Sequence, residues 1–469
     1  MDTRDYNLVG TDDISEQPIP IQMVTEADWP QWRAEAGAIP NKWIDNVQFF
    51  PKQAEICLVP DSGGNLAFVL LGVGKEVGLW SLADLPCKLP QGNYIIEPES
   101  LPISPLGGIA LGWALGAYQF DRYKKANRQP AKLVVPNEQN LRDARRLAGA
   151  IWLVRDLINT PANDMGPREL AEVSDEVAAI GQASVAHISG GELLEAGYPT
   201  IHAVGRASAE EPRLIDLRWG SLGSPKVTLI GKGVCFDSGG LDLKPSDNML
   251  LMKKDMGGAA HVLALAKFIM ETELDIRLRV LIPAVENSVS GSAFRPGDVI
   301  KTRSGKTVEI GNTDAEGRLI LCDALAEASQ ESPDLMIDIA TLTGAARVAL
   351  GTEVAAMFTD NEELAGELSN QSVVQQDPLW RLPLWEGYLD DLESSVAHYS
   401  NVPSHRYGGA ISAGLFLQKF VSGVPAWAHF DIMGWNRKPR PGRSLGGEAF
   451  ALRALAGLLL NRYGESKDD

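Results

Sequence analysis

Apolar runs of strand length and longer apolar patterns of helical period alternate along the second half of this chain, and this alternation limits its possible folds. Strands are predicted at 226–230, 277–285, 307–310, 335–340, 354–358 and 426–432. Helices are predicted at 259–270, 319–329, 411–421 and 449–461. Such alternation predicts an α/β domain with a central mixed, mostly parallel sheet flanked by helices. Functional sites in such sheets gather at the carboxyl ends of the strands.

The first third of the chain predicts a smaller α/β domain. Strand-like runs lie at 55–59, 66–71 and 93–96, whereas the first forty residues, rich in proline and acidic side chains, are expected to be partly irregular. Apolar residues recur at helical spacing over 138–158, which predicts one long helix that ends before Pro161. We expect an N-terminal domain at 1–137, a connecting helix at 138–160 and a larger C-terminal domain at 161–469.

Length, charge and cysteine content narrow the class of protein. A chain of 469 residues exceeds what one hydrophobic core usually holds. The net charge of -18 disfavours nucleic acid as a partner. The N-terminus lacks the layout of a signal peptide, and the longest apolar run, near 109–117, is too short to span a bilayer. Four cysteines without a C-x-x-C pair indicate no disulfide framework, so we expect a cytoplasmic protein with no membrane partner.

The segment Asn-Thr-Asp-Ala-Glu-Gly-Arg at 312–318 carries the clearest sign of chemistry. In extended backbone, side chains two residues apart project to the same side, so Asp314 and Glu316 are expected to converge. Converging carboxylates repel each other unless a cation neutralises them, which predicts a metal ion. Taken alone, the segment more often marks a solvated acidic turn, closed by Gly317, that caps the following helix.

A second segment, 231–255, favours a metal site over a solvated turn. It places Lys232, Asp237, Lys244 and Asp255 along a glycine-broken loop directly after the predicted strand at 226–230. Both segments are therefore expected at the carboxyl ends of strands. None of the six histidines lies in a metal-binding motif, which disfavours a histidine-rich zinc site.

Together these segments resemble the leucyl (cytosol) aminopeptidase family of two-metal exopeptidases. The resemblance rests on N-T-D-A-E-G-R-L at 312–319, G-K-G-x-x-F-D-S-G-G at 231–240, L-K-P-S at 243–246 and D-M-G-G-A-A at 255–260. It covers about 150–435 well and the N-terminal third only faintly. It implies that the larger domain is a catalytic metallopeptidase domain that removes N-terminal residues, leucine-like or small aliphatic, from peptides.

The resemblance also implies a ligand set for two divalent cations, zinc or manganese first and magnesium or cobalt as further options. One cation would take Lys232, Asp237, Asp255 and Glu316, and the other Asp237, Asp314 and Glu316. A lysine ligates a metal only as a neutral amine, and two adjacent cations would lower its pKa accordingly. Shared carboxylates would hold the cations about 3.5–4 Å apart.

Two cationic side chains are expected to act on the substrate. By resemblance, Lys244 is the electrophile that stabilises the oxyanion, and Arg318 holds a bicarbonate that carries a proton from water to the leaving amine. The nucleophile implied by the resemblance is a hydroxide activated by the two metals, since a metal lowers the pKa of bound water to near neutrality.

By resemblance, a small apolar pocket selects the first residue of the substrate. Its expected lining is Met252, Thr341, Gly344 and Met433, with Asn312 also binding substrate and Leu342 facing the residue after the cut. Met433 stands where the family often has alanine, which predicts a narrower pocket. Lys254 also replaces a frequent alanine, and we expect it at the surface.

Two other functions are compatible with parts of the sequence. A two-metal phosphoesterase could use the same carboxylates, but it would usually need histidine ligands and phosphate-binding arginines beyond Arg318. A nucleic-acid-binding scaffold with secondary peptidase activity is the other alternative, and the acidic balance disfavours it. For the assembly state, the resemblance implies a homohexamer.

Overall fold

A computed structural model of the chain describes residues 4–97 and 105–464. The chain divides into two compact units. The first comprises Met1–Trp152 and Lys438–Ser444, and the second comprises Leu153–Arg437 and Leu445–Asp469.

The first unit contains a six-stranded sheet. Its strands are β1 (Leu8–Val9), β2 (Ile19–Val24), β3 (Ile56–Pro60), β4 (Leu66–Gly72), β5 (Asn93–Ile96) and β6 (Lys132–Val134), in the order β1-β6-β5-β2-β4-β3. Its helices are α1 (Trp29–Glu35), α2 (Ala38–Val47), α3 (Leu85–Lys88) and α4 (Gly108–Ala117), and α5 (Glu138–Asn159) follows. The three strands predicted here and the long helix at 138–158 are confirmed.

Those of the first forty residues that the structure describes are partly irregular, as expected, with regular elements between the irregular segments. Strand β2 and helix α1 lie entirely within this stretch, and α2 begins there. Regular structure forms because apolar side chains compensate for the prolines and acidic groups. Val24 and Ile44 are buried in one cluster, against which Trp29 and Trp32 pack with their rings stacked 5.5 Å apart.

The second unit is built on a nine-stranded sheet. The strands of this unit are β7 (Ser184–Ser189), β8 (Arg213–Trp219), β9 (Lys226–Gly231), β10 (Gly233–Asp237), β11 (Arg277–Asn287), β12 (Val299–Lys301), β13 (Thr307–Glu309), β14 (Leu335–Ala340), β15 (Ala355–Phe358), β16 (Leu379–Arg381), β17 (Tyr399–Ser400), β18 (Trp427–Asp431), β19 (Trp435–Asn436) and β20 (Gly446–Gly447). Its helices are α6 (Pro167–Gly181), α7 (Glu192–Glu195), α8 (Pro199–Gly205), α9 (Ser246–Met249), α10 (Gly257–Glu271), α11 (Glu316–Ser329), α12 (Gly344–Leu350), α13 (Glu362–Val374), α14 (Gly409–Gln418) and α15 (Leu452–Tyr463).

The nine-stranded sheet is mixed and mostly parallel, as the alternating pattern predicts. Its order is β16-β15-β18-β14-β9-β11-β8-β7, and β10 also pairs with β11. The central pairs β18–β14, β14–β9 and β9–β11 are parallel, and the antiparallel pairs lie towards the two edges. Every strand and helix predicted for the second half is found, with bounds that differ by at most three residues.

Helices α10 and α11 pack on the central strands. Helix α11 carries Glu316 and Arg318 in its first turn, and Asp255 lies two residues before α10 begins. Helix α10 approaches β14 closely because Gly258 has no side chain, since a Cβ there would lie 2.0 Å from the carbonyl oxygen of Ile339. The backbone N–H of Ala259 then donates to the carbonyl of Lys232 at 2.9 Å, which fixes the helix start beside the end of β9. Among the described residues, no helix combines the length and apolarity needed to cross a membrane.

Candidate metal centre

The candidate centre lies where central strands of the large sheet end. Lys232 directly follows β9, Asp237 is the last residue of β10, and Thr341 directly follows β14. Strands β9, β10 and β14 run parallel in the same sheet, so their carboxyl ends meet at one edge.

A glycine turn returns Lys244 to the end of β10. Gly239 and Gly240 have φ of 89° and 67°, in the left-handed region that favours glycine. The turn allows the backbone N–H of Lys244 to donate to the carbonyl of Ser238 at 2.9 Å. Lys244 thereby lies beside Asp237.

Asp314 and Glu316 reach the centre by a route that differs from the expected one. The expectation of extended backbone is wrong, because Asp314 lies in a turn and Glu316 is the first residue of α11. The turn forms because the side-chain oxygen of Asn312 accepts a hydrogen bond from the backbone N–H of Asp314 at 2.7 Å. Both carboxylates still converge on the centre, each against a lysine.

Three buried carboxylates form the interior of the centre. Asp237, Asp255 and Glu316 each offer an oxygen, and these oxygens lie within 4.8 Å of one another. None of the three residues is more than 2% exposed. Negative charges so close together and so far from water need cations between them.

Lys232 supplies the first of these cations. Its Nζ lies 2.8 Å from Asp255 Oδ2 and 2.9 Å from Glu316 Oε1, and it donates to the carbonyl of Thr341 at 3.2 Å. Burial alone would lower the pKa of Lys232, but these carboxylates raise it above the ordinary value. The ammonium reaches this position because Gly317 leaves the space for it.

Lys244 supplies the second cation. Its Nζ lies 2.8 Å from Asp237 Oδ2 and also contacts Asp314 Oδ1. The side chain of Lys244 is 13% exposed and that of Asp314 is 33% exposed, so this pair forms the solvent-facing side of the centre. Burial opposes protonation of Lys244, but Asp237 and the other carboxylates raise its pKa.

Two ammonium groups do not neutralise four carboxylates. The missing positive charge is reflected in the pKa values of Glu316 and Asp314. Burial, together with the charge of Asp237, raises the pKa of Glu316 to about 8 and that of Asp314 to about 6. Glu316 Oε2 is also buried without a hydrogen-bond partner. Oxygen donors that lack positive charge and a partner fit divalent metal cations, so the residues present are suited to the metal centre expected from the sequence.

Asn287 orients Asp237. It is not among the site residues predicted from the sequence. Its side-chain amide donates to Asp237 Oδ1 at 2.9 Å and to the carbonyl of Thr313 at 3.1 Å, and Asn287 is fully buried. The available signal was its place two residues after the predicted strand at 277–285, where polar side chains follow a buried run.

Two further polar contacts tie the segments of the centre together. Asp242 and Thr313 bond reciprocally, since the backbone N–H of Asp242 donates to Thr313 Oγ1 at 2.8 Å and that of Thr313 to Asp242 Oδ2 at 2.7 Å. The side chain of Asn401 accepts from Gly311 and donates to the carbonyl of Asn312, each at 2.7 Å. No sequence signal marked Asp242 or Asn401, because their partners are distant along the chain.

Arg318 lies in the buried first turn of α11. Its Nη1 donates to the carbonyl of Asn401 at 2.8 Å, and its Nε is buried without a partner. Burial lowers the pKa of Arg318 to about 10, against the opposing effect of Glu316 and Asp431. Arg318 therefore remains a cation at neutral pH, with donor capacity left over.

The expected substrate-binding residues lie in four separate segments of the chain. Thr341 is joined to the centre directly, because its hydroxyl donates to Asp255 Oδ1 at 2.8 Å. Leu342 packs against the main core of the second unit. The remaining pocket residues are Met252, Asn312 and Met433, which are half-buried, and Gly344, which is exposed.

Lys254 is not a surface residue, so that expectation is wrong. Lys254 is 8% exposed. It belongs to a short 3-10 helix, Met252–Met256, and the next residue in this helix is the buried ligand candidate Asp255. Burial lowers the pKa of Lys254. Its ammonium makes no ion pair or hydrogen bond with any residue that the structure describes.

Comparison with known proteins assigns both parts of the chain to one family. Residues 152–456 match the model of the cytosol aminopeptidase family, catalytic domain, and residues 19–136 match that of the M17 aminopeptidase, N-terminal domain. A probable cytosol aminopeptidase from Syntrophotalea carbinolica is 39% identical over 452 residues, which cover 89% of this chain and 90% of the relative. One from Aquifex aeolicus is 36% identical and covers 86% and 87%.

Solved structures agree in fold over nearly the whole chain. A cytosol aminopeptidase from Coxiella burnetii superposes with a TM-score of 0.94 at 47% identity, covering 97% of this chain and 99% of that one. The bottromycin maturation enzyme BotP, in complex with Mn, gives a TM-score of 0.86 at 33% identity, covering 95% and 100%. By its sequence, its two parts and its fold, the chain belongs to the cytosol aminopeptidase family.

Proposed function

We propose that this metal-dependent aminopeptidase removes N-terminal residues, leucine-like or small aliphatic, from peptides, with two divalent cations held by Lys232, Asp237, Asp255, Asp314 and Glu316. One observation carries the proposal: three carboxylate oxygens lie within 4.8 Å of one another, buried, and Glu316 has an oxygen without a partner. Carboxylates brought so close need more positive charge than two lysines provide.

Zinc or manganese is proposed for the two metal sites, because both metals accept carboxylate ligands. A relative of 33% identity, BotP, is described in complex with Mn. When bound, the cations supply Lewis acidity that activates water and polarises the scissile carbonyl. A histidine-rich phosphoesterase centre is less well supported, because the group of potential metal ligands found among the described residues contains only carboxylates.

Lys244 is the proposed electrophile. Once divalent cations neutralise Asp237 and Asp314, its ammonium has charge to offer the carbonyl oxygen, which becomes negative as the carbon turns tetrahedral. Arg318 is the proposed binding residue for bicarbonate, since it is a buried cation with a free Nε beside Glu316. Bicarbonate held there would carry a proton from water to the leaving amine.

Substrate selection is proposed to involve Met252, Asn312, Thr341, Leu342, Gly344 and Met433. Thr341 is fixed by Asp255, and the backbone N–H of Leu342 by Asp431 at 3.0 Å, so the loop after β14 is rigidly placed beside the carboxylates. The free α-amine of a peptide substrate would lie next to the carboxylates that hold the metal ions. This position favours the ends of peptide chains as substrates. A cytoplasmic homohexamer is the proposed form of the protein.

The test is an assay of metal-stripped protein on leucyl, alanyl and phenylalanyl p-nitroanilides, with zinc, manganese, magnesium or cobalt added back. Activity should disappear on stripping and return with at least one of the four cations. Hydrolysis that persists without metal, or none after every addition, contradicts the proposal.

Glu316→Gln provides the matched variant because it keeps the side-chain volume and removes the charge. We expect lost turnover and lower metal content by elemental analysis, since Glu316 is proposed to contact both cations. Glu363→Gln, at an exposed position in α13, should change neither quantity. Full metal content with full activity in Glu316→Gln would exclude Glu316 as a ligand.

A further inference from the structure

The carboxylate of Asp431 is bonded to two consecutive residues of the loop after β14. Asp431 is the last residue of β18 and is 1% exposed. Its Oδ1 accepts the backbone N–H of Leu342 at 3.0 Å. Its Oδ2 accepts the backbone N–H of Thr343 at 3.1 Å and the hydroxyl of Thr343 at 2.6 Å. Hydrogen bonds to a buried carboxylate are of the strong, charge-assisted class, so they fix the backbone of the loop at these two residues.

The helix that follows this loop is attached to the same point. Thr343 is the N-cap of α12, since its side-chain oxygen accepts the backbone N–H of Ala346 at 3.1 Å. Arg347, in the first turn of α12, donates from Nη2 to the carbonyl of Asp431 at 2.5 Å and lies 3.3 Å from its Oδ1. Arg347 thus balances the buried charge of Asp431. The loop and the start of α12 are both held at the end of β18.

The preceding residue, Thr341, is held by different groups. Its hydroxyl donates to Asp255 Oδ1 at 2.8 Å. Its methyl group packs between two glycines, because a Cβ at Gly257 or at Gly434 would lie 3.1 or 3.2 Å from Thr341 Cγ2. None of these contacts involves Asp431. Two adjacent residues of the proposed substrate site therefore have separate supports, and each support can be removed without the other.

We propose that Asp431 is a positioning residue for the leaving side of the substrate. It holds Leu342 where the side chain faces the residue after the cut, whereas selection of the first residue, through Thr341, does not depend on Asp431. The proposal rests on the aminopeptidase function proposed above and on the place given to Leu342 in it. The physical reason is that a small displacement of a binding residue lowers the rate for the part of the substrate that it contacts.

Asp431→Asn tests the proposal, because the amide has nearly the same shape but presents a donor where the loop also presents donors. The substrates Leu-Leu and Leu-Gly differ only in the residue after the cut. We expect the wild type to prefer Leu-Leu, and the ratio of the two kcat/KM values to fall by about 5- to 20-fold in the variant. The ratio for leucyl and alanyl p-nitroanilides, which differ only in the first residue, should stay constant, as should the metal content.

Asp377→Asn is the matched control. Asp377 is 3% exposed, and its carboxylate accepts the backbone N–H groups of Ala451, Arg453 and Ala454 at 2.8 to 3.3 Å. It has the same kind of burial and bonding, but at the start of α15 rather than at the loop after β14. The control variant should lose stability in urea unfolding and leave both substrate ratios unchanged.

A second pair of variants leaves the charge of Asp431 in place. Thr343→Val removes the hydroxyl that donates to Asp431, whereas Thr343→Ser keeps it. We expect the valine variant to lower the ratio of Leu-Leu to Leu-Gly and the serine variant to retain the wild-type ratio. These variants decide the question if Asp431→Asn does not fold.

An unchanged ratio of Leu-Leu to Leu-Gly in folded Asp431→Asn overturns the proposal, and where that variant does not fold, an unchanged ratio in Thr343→Val does so. An equal fall in Asp377→Asn, or an equal fall in the ratio of the two p-nitroanilides, also overturns it, because either would indicate a general loss of structure. Loss of bound metal from Asp431→Asn would instead assign Asp431 to the metal centre and reject the proposal. A wild type that hydrolyses no leucyl substrate would contradict the proposed function itself.

Discussion

Gly317 and Lys232 share one space: a Cβ added at Gly317 would lie 2.7 Å from the Nζ of Lys232 and 2.6 Å from its Cε. Real Cβ atoms essentially never approach other heavy atoms so closely, so a side chain at 317 and the present position of the ammonium exclude each other. The glycine of the 312–318 segment is thus explained by the lysine that lies between Asp255 and Glu316.

Gly317→Ala should therefore displace Lys232 and reduce aminopeptidase turnover by about a hundredfold, the usual effect of a small misplacement at a reacting centre. The rate on a leucyl substrate and the metal content measure it. The control is Gly366→Ala in α13, where an added Cβ meets open space and the protein should gain about 0.5–1 kcal/mol of stability. Unaltered turnover in Gly317→Ala would show that the position of Lys232 is not needed.

Lys244→Met should lose about 10²–10³ in turnover while both metals stay bound. The physical reason is that the proposed contact with the carbonyl oxygen strengthens only as negative charge develops there. KM should change less than kcat for the same reason. Steady-state kinetics with elemental analysis of the same preparation test this, and a normal kcat would reduce Lys244 to an ion-pair partner of Asp237 and Asp314.

Met433→Ala should raise activity on phenylalanyl relative to alanyl substrates by roughly 10–200-fold, if Met433 narrows the pocket. Met433 is half-buried, two residues after Asp431 at the end of β18. Rates on leucyl, phenylalanyl and alanyl substrates are compared alongside a melting curve. A lower melting temperature with constant substrate ratios would place this side chain in the core instead.

His261 should make the protein sensitive to acid. Its ring is buried, with Nδ1 2.6 Å from the carbonyl of Gly257 and Nε2 2.9 Å from the backbone N–H of Phe450, which requires the neutral ring. Burial lowers its pKa from 6.5 to about 4. A lowered folded-state pKa contributes stability that is present above 6.5 and is lost as the pH falls through 4, here about 3 kcal/mol.

His261→Gln tests this, because the amide oxygen can still accept from Phe450 but does not titrate. The variant should lose less stability than the wild type between pH 7 and pH 5 in thermal or urea unfolding. Parallel stability curves for the two proteins would contradict the assignment.

Six strands and four helices of the second unit could be predicted from sequence because burial dictates their patterns. Strand β14, Leu335–Ala340, is buried along its whole length and is found where a run that is apolar except for Asp338 predicts it. The carboxylates near the strand ends were predicted for a similar reason, since parallel strands end at one edge. The identity of the family came from motifs whose residues the sequence already places in order.

Contacts between distant segments could not be predicted in this way. Asn401 is recognisable only through its bonds to Gly311 and Asn312, about ninety residues away along the chain. The conformation at Asp314 was mispredicted because the backbone N–H of Asp314 donates to the side chain of Asn312. This local hydrogen bond favours a turn over extended backbone, and the spacing of residue types in the sequence does not reveal it. The prediction that Lys254 lies at the surface was wrong. It relied on the general rule that charged residues are exposed, and Lys254 is an exception to that rule.

The strand order of the large sheet has a consequence for biosynthesis. Strand β18, residues 427–431, lies between β14 and β15, although both of these precede it in the chain. Until the ribosome has released this late strand, β14 presents an open edge that is apolar except for Asp338, and β15 and β16 have no place in the sheet. An exposed edge of this kind pairs readily with other chains. The nascent protein thus depends on its last forty or so residues to close its own sheet, and a message truncated just before them would yield an aggregating product rather than a smaller enzyme.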